Sequence, residues 1–180
     1  DTLIRYNLFS KRGALPGQQA RPNVLLGHFP LTGSGSEDRY LVYGNLFFHN
    51  PSEALLQAEG RLALYDNVFI NGSGDAIHIQ PHNDVPRDMV IFSNTVLASG
   101  EGIRVRRAHA SAFRQRVIGN VVAAATPLAG GEAAFNRELS YRPDCLNVRI
   151  TELKACLLEG GPSQPALPGT LTDELAAYPG

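Results

Sequence analysis

The sequence contains no tryptophan, one methionine and only two cysteines in 180 residues. That is too few thiols for a disulfide-built scaffold. Neither Cys-x-x-Cys nor Cys-x-x-Cys-His occurs, which excludes a thioredoxin-like redox motif and covalent haem attachment. No apolar run approaches the roughly 18 residues that a bilayer span requires. Charge of one sign is also missing: 16 basic and 17 acidic residues leave neither a basic field for nucleic acid nor an acidic tail. No charged-then-apolar start marks a signal peptide, although a leader removed beforehand would leave no trace. The chain enters a strand-like pattern at Leu3-Ile4, as expected of a processed or excised start. What is plentiful is punctuation. With 18 glycines, 12 prolines and 43% apolar residues, the composition favours short strands joined by turns over a helical bundle. Cys145 and Cys156 are either bridged, a link worth roughly 3 kcal/mol by loop entropy, or two buried thiols.

Internal repetition organises the chain. Four segments align on one asparagine: Leu-Val-Tyr-Gly-Asn45-Leu-Phe, Ala-Leu-Tyr-Asp-Asn67-Val-Phe, Val-Ile-Phe-Ser-Asn94-Thr-Val and Arg-Val-Ile-Gly-Asn120-Val-Val. The asparagines are 22, 27 and 26 residues apart, and a looser copy around Asn7 stands 38 residues before Asn45. Tyr43, Tyr65, Phe92 and Ile118 precede the asparagine by two places, and Phe47, Phe69, Val96 and Val122 follow it by two. Apolar positions flanking a turn residue describe two strands meeting at a bend, with these columns facing inward. Asn45, Asn67, Asn94 and Asn120 are therefore assigned a structural role. Asparagine tolerates the left-handed backbone of such a bend, and stacked amides can bond from copy to copy. By the same phase Val42, Leu64, Ile91 and Val117 face outward and need a cover, either residues 146–158 or another chain.

A second alternation lies between copies, at Ala76-Ile77-His78-Ile79-Gln80 and Gly102-Ile103-Arg104-Val105-Arg106, more weakly at Ala54-Leu55-Leu56-Gln57. Each period thus holds about three short strands that must stack on neighbours to bury their apolar face. On these elements the sequence resembles the right-handed parallel β-helix repeat proteins of the pectate-lyase-like superfamily, over roughly residues 1–130. The resemblance implies an all-β solenoid of about five coils. It does not imply one chemistry, since the superfamily spans lyases, hydrolases, epimerases, tailspikes and adhesins. Residues 131–180 are expected to form a C-terminal cap, helical over 146–158 and then extended. The end before Leu3 is expected to continue into earlier coils or to be covered by a protein partner.

The outward positions of the second strand carry the candidate chemistry. With Ile77, Ile79, Ile103 and Val105 inward, His78, Gln80, Arg104 and Arg106 point out. Asp75 and Glu101 hold matching places just before those strands, with Glu53 one copy earlier. Such a set could receive an acidic polysaccharide: arginine pairs with a uronate carboxylate and His78 removes a proton as catalytic base. Gln80, Arg104, Arg106, Asp75 and Glu101 are the expected substrate-binding residues. The same residues also suit a merely solvated strand face. No lysine accompanies the cluster, unlike known lyase signatures. Asp75, His78, His82 and Asp84 have ligand chemistry without a standard spacing, so neither metal nor cofactor is expected. The Arg104–Arg107 run reads as a solvated basic cluster, and His28, His49 and His109 stand alone. The expectation is an extracytoplasmic (periplasmic or secreted) protein that binds or acts on an acidic polysaccharide. The competing reading is a non-catalytic structural domain that docks another protein, and neither reading involves nucleic acid or a membrane span.

Overall fold

The computed structural model describes residues 1–27, 30–106 and 112–180. In chain order the strands are β1 (Thr2–Arg5), β2 (Leu8–Ser10), β3 (Val24–Leu26), β4 (Tyr40–Tyr43), β5 (Leu46–Phe48), β6 (Leu56–Ala58), β7 (Gly60–Tyr65) and β8 (Val68–Asn71). They continue as β9 (Ile77–Ile79), β10 (Pro86–Phe92), β11 (Thr95–Val105), β12 (Gln115–Ile118), β13 (Val121–Ala129), β14 (Glu132–Ala134) and β15 (Arg137–Leu139). Two helices follow, α1 (Ile150–Leu158) and α2 (Gly169–Ala176). Every strand pair among the described residues is parallel. One sheet runs β1-β4-β7-β10-β12-β14. The other runs β2-β5-β8-β11-β9-β6-β3, with β13 and β15 joined beyond β11.

This order corrects the expected all-β solenoid of about five coils. The second sheet goes out through β8 to β11 and returns through β9 and β6 to β3, so it folds round on itself and nearly closes, barrel-like. With parallel sheets and two helices laid against them, the arrangement is of the α/β parallel-barrel type. The cause lies in β11. Thr95–Ala98 pair with β8, while Ile103–Val105 pair with β9, so one strand carries the sheet around a corner. Periodicity reads strand spacing but not whether sheets close. Within the segment 131–180 expected to form a C-terminal cap, β14 and β15 extend the two sheets, and the residues around both helices pack on the sheets' outer faces.

Six asparagines form one hydrogen-bonded ladder. The backbone N–H of Asn7, Asn45, Asn67, Asn94 and Asn120 donates to the Oδ1 of the next, ending at Asn136, over 2.9–3.1 Å. Each Nδ2 donates to that same Oδ1 as well, so a buried amide is saturated on both sides. The left-handed residue at the bend is the one before the asparagine: Gly44, Asp66, Ser93 and Gly119 have φ of 50–64°. At Gly44 any Cβ would also lie 2.6 Å from the Tyr6 ring.

A non-glycine L-residue in that region costs about 1 kcal/mol or more. Burial also pushes the Asp66 carboxyl up, with Lys154 opposing. Because the folded-state value is raised, the ionised form is penalised once the carboxyl has titrated, and the penalty vanishes in acid. Asp66→Gly is therefore expected to stabilise by about 1 kcal/mol, or about 3 °C in Tm. The gain shrinks in acid, whereas that of Ser93→Gly does not. Calorimetry across pH checks this, and an unchanged Tm for both variants would remove the backbone argument.

The main core contains Val42, Leu64, Ile91 and Val117, all at or below 1% exposure, together with Phe47, Phe69, Val96 and Val122. The inward column of the first sheet is thus three places before the asparagine, the reverse of the expected phase. Tyr43, Tyr65, Phe92 and Ile118 face outward and are covered by Leu167, Leu171, Leu175 and Tyr178 around α2. Helix α1 covers Ile70, Leu97, Val121 and Ala123 of the second sheet through Leu153 and Leu157. The Cys145–Cys156 disulfide ties α1 to the turn before it.

Candidate functional site

Alternation along β6, β9 and β11 sends Leu56, Ile77 and Ile103 into the core, and the paired positions Gln57, His78 and Arg104 to the opposite face. The bends before those strands then project carboxylates over His78. Asp75 Oδ1 accepts from the Glu101 N–H at 2.7 Å, which aims Oδ2 at His78 Nε2, 3.1 Å away. Glu101 Oε2 lies 3.4 Å from the same Nε2, and Glu53 Oε1 lies 3.9 Å from Nδ1. Gly100 makes room for this: a Cβ there would fall 2.1 Å from Asp75 Oδ1.

Arg104 completes the cluster. Its Nη2 lies 2.8 Å from His78 Nδ1 and 3.3 Å from Gln80 Oε1, and its Nη1 pairs with Glu101 Oε2 at 2.8 Å. A guanidinium only donates, so Nδ1 accepts and the ring proton is assigned to Nε2. That nitrogen is buried and has no hydrogen-bond partner, its carboxylate neighbours being misaligned. Burial above all, then Arg104, pulls the His78 pKa down, against the pull of Asp75, Glu101 and Glu53. His78 is therefore neutral at neutral pH and 4% exposed, a floor residue under carboxylates that remain about a third exposed. The groups open to a substrate are Glu53, Asp75, Glu101 and Gln80, with exposed Arg106 beyond the end of β11.

Asp75, His78 and Glu101 present ligand atoms within 4.8 Å of one another, the donor set here that could hold a cation. His82 and Asp84 do not join them. Asp84 pairs with Arg87, and the His82 and Asn83 N–H groups donate to Glu59 Oε2. Glu59, 1% exposed, pins that loop and went unnoticed in sequence; its only signal is a lone acid between apolar Ala58 and Gly60. His28, Arg107 and His109 lie outside the described residues. A separate groove of about 330 Å³ on the first sheet is lined by Arg39, Arg61, Arg114 and Arg116. Three of these four are paired, with Glu37 and Asp88, with Glu132, and with Glu174 respectively, which makes it a charge ladder. No helix among the described residues is long and apolar enough to cross a membrane. Comparison with protein-family models, curated proteins and solved structures returned no match.

Proposed function

We propose that the chain engages an acidic polysaccharide through the face formed by Glu53, Asp75, Gln80, Glu101, Arg104 and Arg106. The observation that carries this reading is the gathering of carboxylates, an amide and a guanidinium over buried His78, on strands one sheet spacing apart. That spacing, about 4.8 Å, is close to the rise of one sugar ring along an extended polymer. The carboxylates accept sugar hydroxyls, while Arg106 and the edge of Arg104 meet sugar carboxylates. Support comes from side chains alone, because likeness to polysaccharide-acting solenoids falls with the solenoid. If the face also turns substrate over, Asp75 and Glu101 are the candidates for proton transfer, since the lone pair of His78 Nδ1 is already taken. The Cys145–Cys156 bridge supports an extracytoplasmic setting.

The test is affinity electrophoresis on polygalacturonate, alginate and chondroitin, with ultraviolet detection of unsaturated product. Retardation is expected on one of them. It should weaken about three- to fivefold in Arg106→Ala, as suits an exposed ion pair, and fall with salt. Absence of retardation on all three would overturn the reading. A second role is favoured by the free edges of β1, β2 and β3, where Leu3, Tyr6, Leu8 and Leu25 are 40–67% exposed. Such edges dock other proteins. Co-purification of a partner lost in Leu8→Lys would support it.

A further inference from the structure

We infer that Asp75, His78 and Glu101 bind a single divalent transition-metal cation of the zinc or manganese class. Three exposed acids in proximity would not carry this, because solvated carboxylates commonly cluster. What carries it is the histidine. His78 is 4% exposed and its Nε2 is a buried polar atom with no hydrogen-bond partner. It is nevertheless the point on which two carboxylate oxygens converge, Asp75 Oδ2 at 3.1 Å and Glu101 Oε2 at 3.4 Å. Buried polar atoms are ordinarily satisfied, and an exception asks for a missing partner.

The separations identify that partner. Ligand atoms around a tetrahedral cation with bonds of about 2.0–2.2 Å stand about 3.3–3.6 Å apart, close to what Nε2 keeps from each oxygen. The three atoms lie within 4.8 Å of one another, and a small inward turn of the two partly exposed carboxylates lets one ion touch all of them. One imidazole with two carboxylates suits zinc or manganese, whereas calcium and magnesium prefer oxygen alone. Asp75 is held ready by the Glu101 N–H, and Gly100 leaves the space it needs. With both carboxylates about a third exposed, solvent completes the coordination.

Arg104 is the element that works against the ion. Metal at Nε2 moves the ring proton to Nδ1, which now accepts from Arg104 Nη2. A ligating histidine needs an acceptor on its other nitrogen. Glu53 Oε1, 3.9 Å from Nδ1, can be that acceptor once Arg104 withdraws toward Gln80. Arg104 thus lowers affinity in three ways: by charge, by holding Nδ1, and by pairing at 2.8 Å with Glu101 Oε2, which the ion needs as a ligand. Arg104→Gln should bind the ion more tightly, because its amide oxygen accepts from Nδ1–H.

The experiment is isothermal titration of the full chain with zinc, manganese and calcium chlorides at neutral pH, without sugar, so that failure here is distinct from failure of the polysaccharide reading. One equivalent of zinc or manganese is expected, with calcium weaker. Asp75→Asn and Glu101→Gln should each lose about tenfold or more in affinity. His78→Gln should erase the preference for zinc over calcium. Circular dichroism melts accompany each variant; should His78→Gln not fold, partly exposed Glu101→Gln decides. No saturable zinc or manganese binding would overturn the inference. So would zinc binding that survives both Asp75→Asn and Glu101→Gln, which would place the ion on another histidine.

Discussion

Asn94→Leu is expected to cost about 3–5 kcal/mol of stability, at the diagnostic end for a single substitution. The side chain is 1% exposed and nearly isosteric with leucine, so packing changes little. Hydrogen bonding changes greatly. Asn94 Oδ1 accepts from the backbone N–H and the Nδ2 of Asn67, and Asn94 Nδ2 donates to Leu64 O, Phe92 O and Asn120 Oδ1. Leucine strands the Asn67 N–H, whose side-chain amide keeps Val42 O and Tyr65 O, and takes a donor from Leu64 O, Phe92 O and Asn120 Oδ1, all without access to water, at about 1–3 kcal/mol for each group left unpaired before relaxation. Asn7→Leu is the control, because Asn7 is exposed and stands at the free end of the ladder. Urea titrations should show a large midpoint shift for Asn94→Leu and a small one for Asn7→Leu. Equal shifts would mean that the ladder is not cooperative.

Phe69→Ala should cost about 3–5 kcal/mol, through lost transfer energy and the cavity left behind. Phe69 is fully buried and stacks on Phe47 with ring centroids 4.4 Å apart and planes within 5°. Phe47 stacks in turn on Phe9 at 5.0 Å. The row has little freedom to collapse, because each ring is fixed by a parallel register that places Phe9, Phe47, Phe69 and Val96 side by side. Phe9→Ala, at the partly buried end of the row, should cost much less. A loss below about 1 kcal/mol at Phe69 would show that the core repacks freely, against close-packed behaviour.

The repeat was legible because Asn45, Asn67, Asn94 and Asn120 each need the same buried geometry and therefore recur. Asn136 escaped notice, since its copy (Ala133-Ala134-Phe135) lacks the bulky apolar neighbours of the others. The phase of the first sheet was not legible. Val42 and Tyr43 are both apolar because both faces are covered, one by the core and one by Leu175 and its neighbours. Alternation identifies an inward face only when the other is wet. Sheet closure escaped for a related reason: the bend in β11 at Ser99–Gly100 reads as a turn between strands, though hydrogen bonding continues on both sides of it. At the candidate site, the matching places of Asp75 and Glu101 were visible in the alignment, and the register brings them together. The burial of His78 was not visible. It follows from carboxylates leaning over it, which only the path of the preceding bends sets.

The ladder also bears on how the chain reaches its fold. Successive asparagines pair across 38, 22, 27, 26 and 16 residues, so almost no sheet contact is local and loop closure must precede its reward. Folding on this plan is slow. Copies of similar pattern add a hazard: a strand can meet the copy two places along and leave the one between looped out. β11 opposes that error. It must match β8 with one half, β9 with the other, and β13 along its length. A chain that skips a copy cannot meet all three conditions at once, so such a pairing forfeits hydrogen bonds along part of β11.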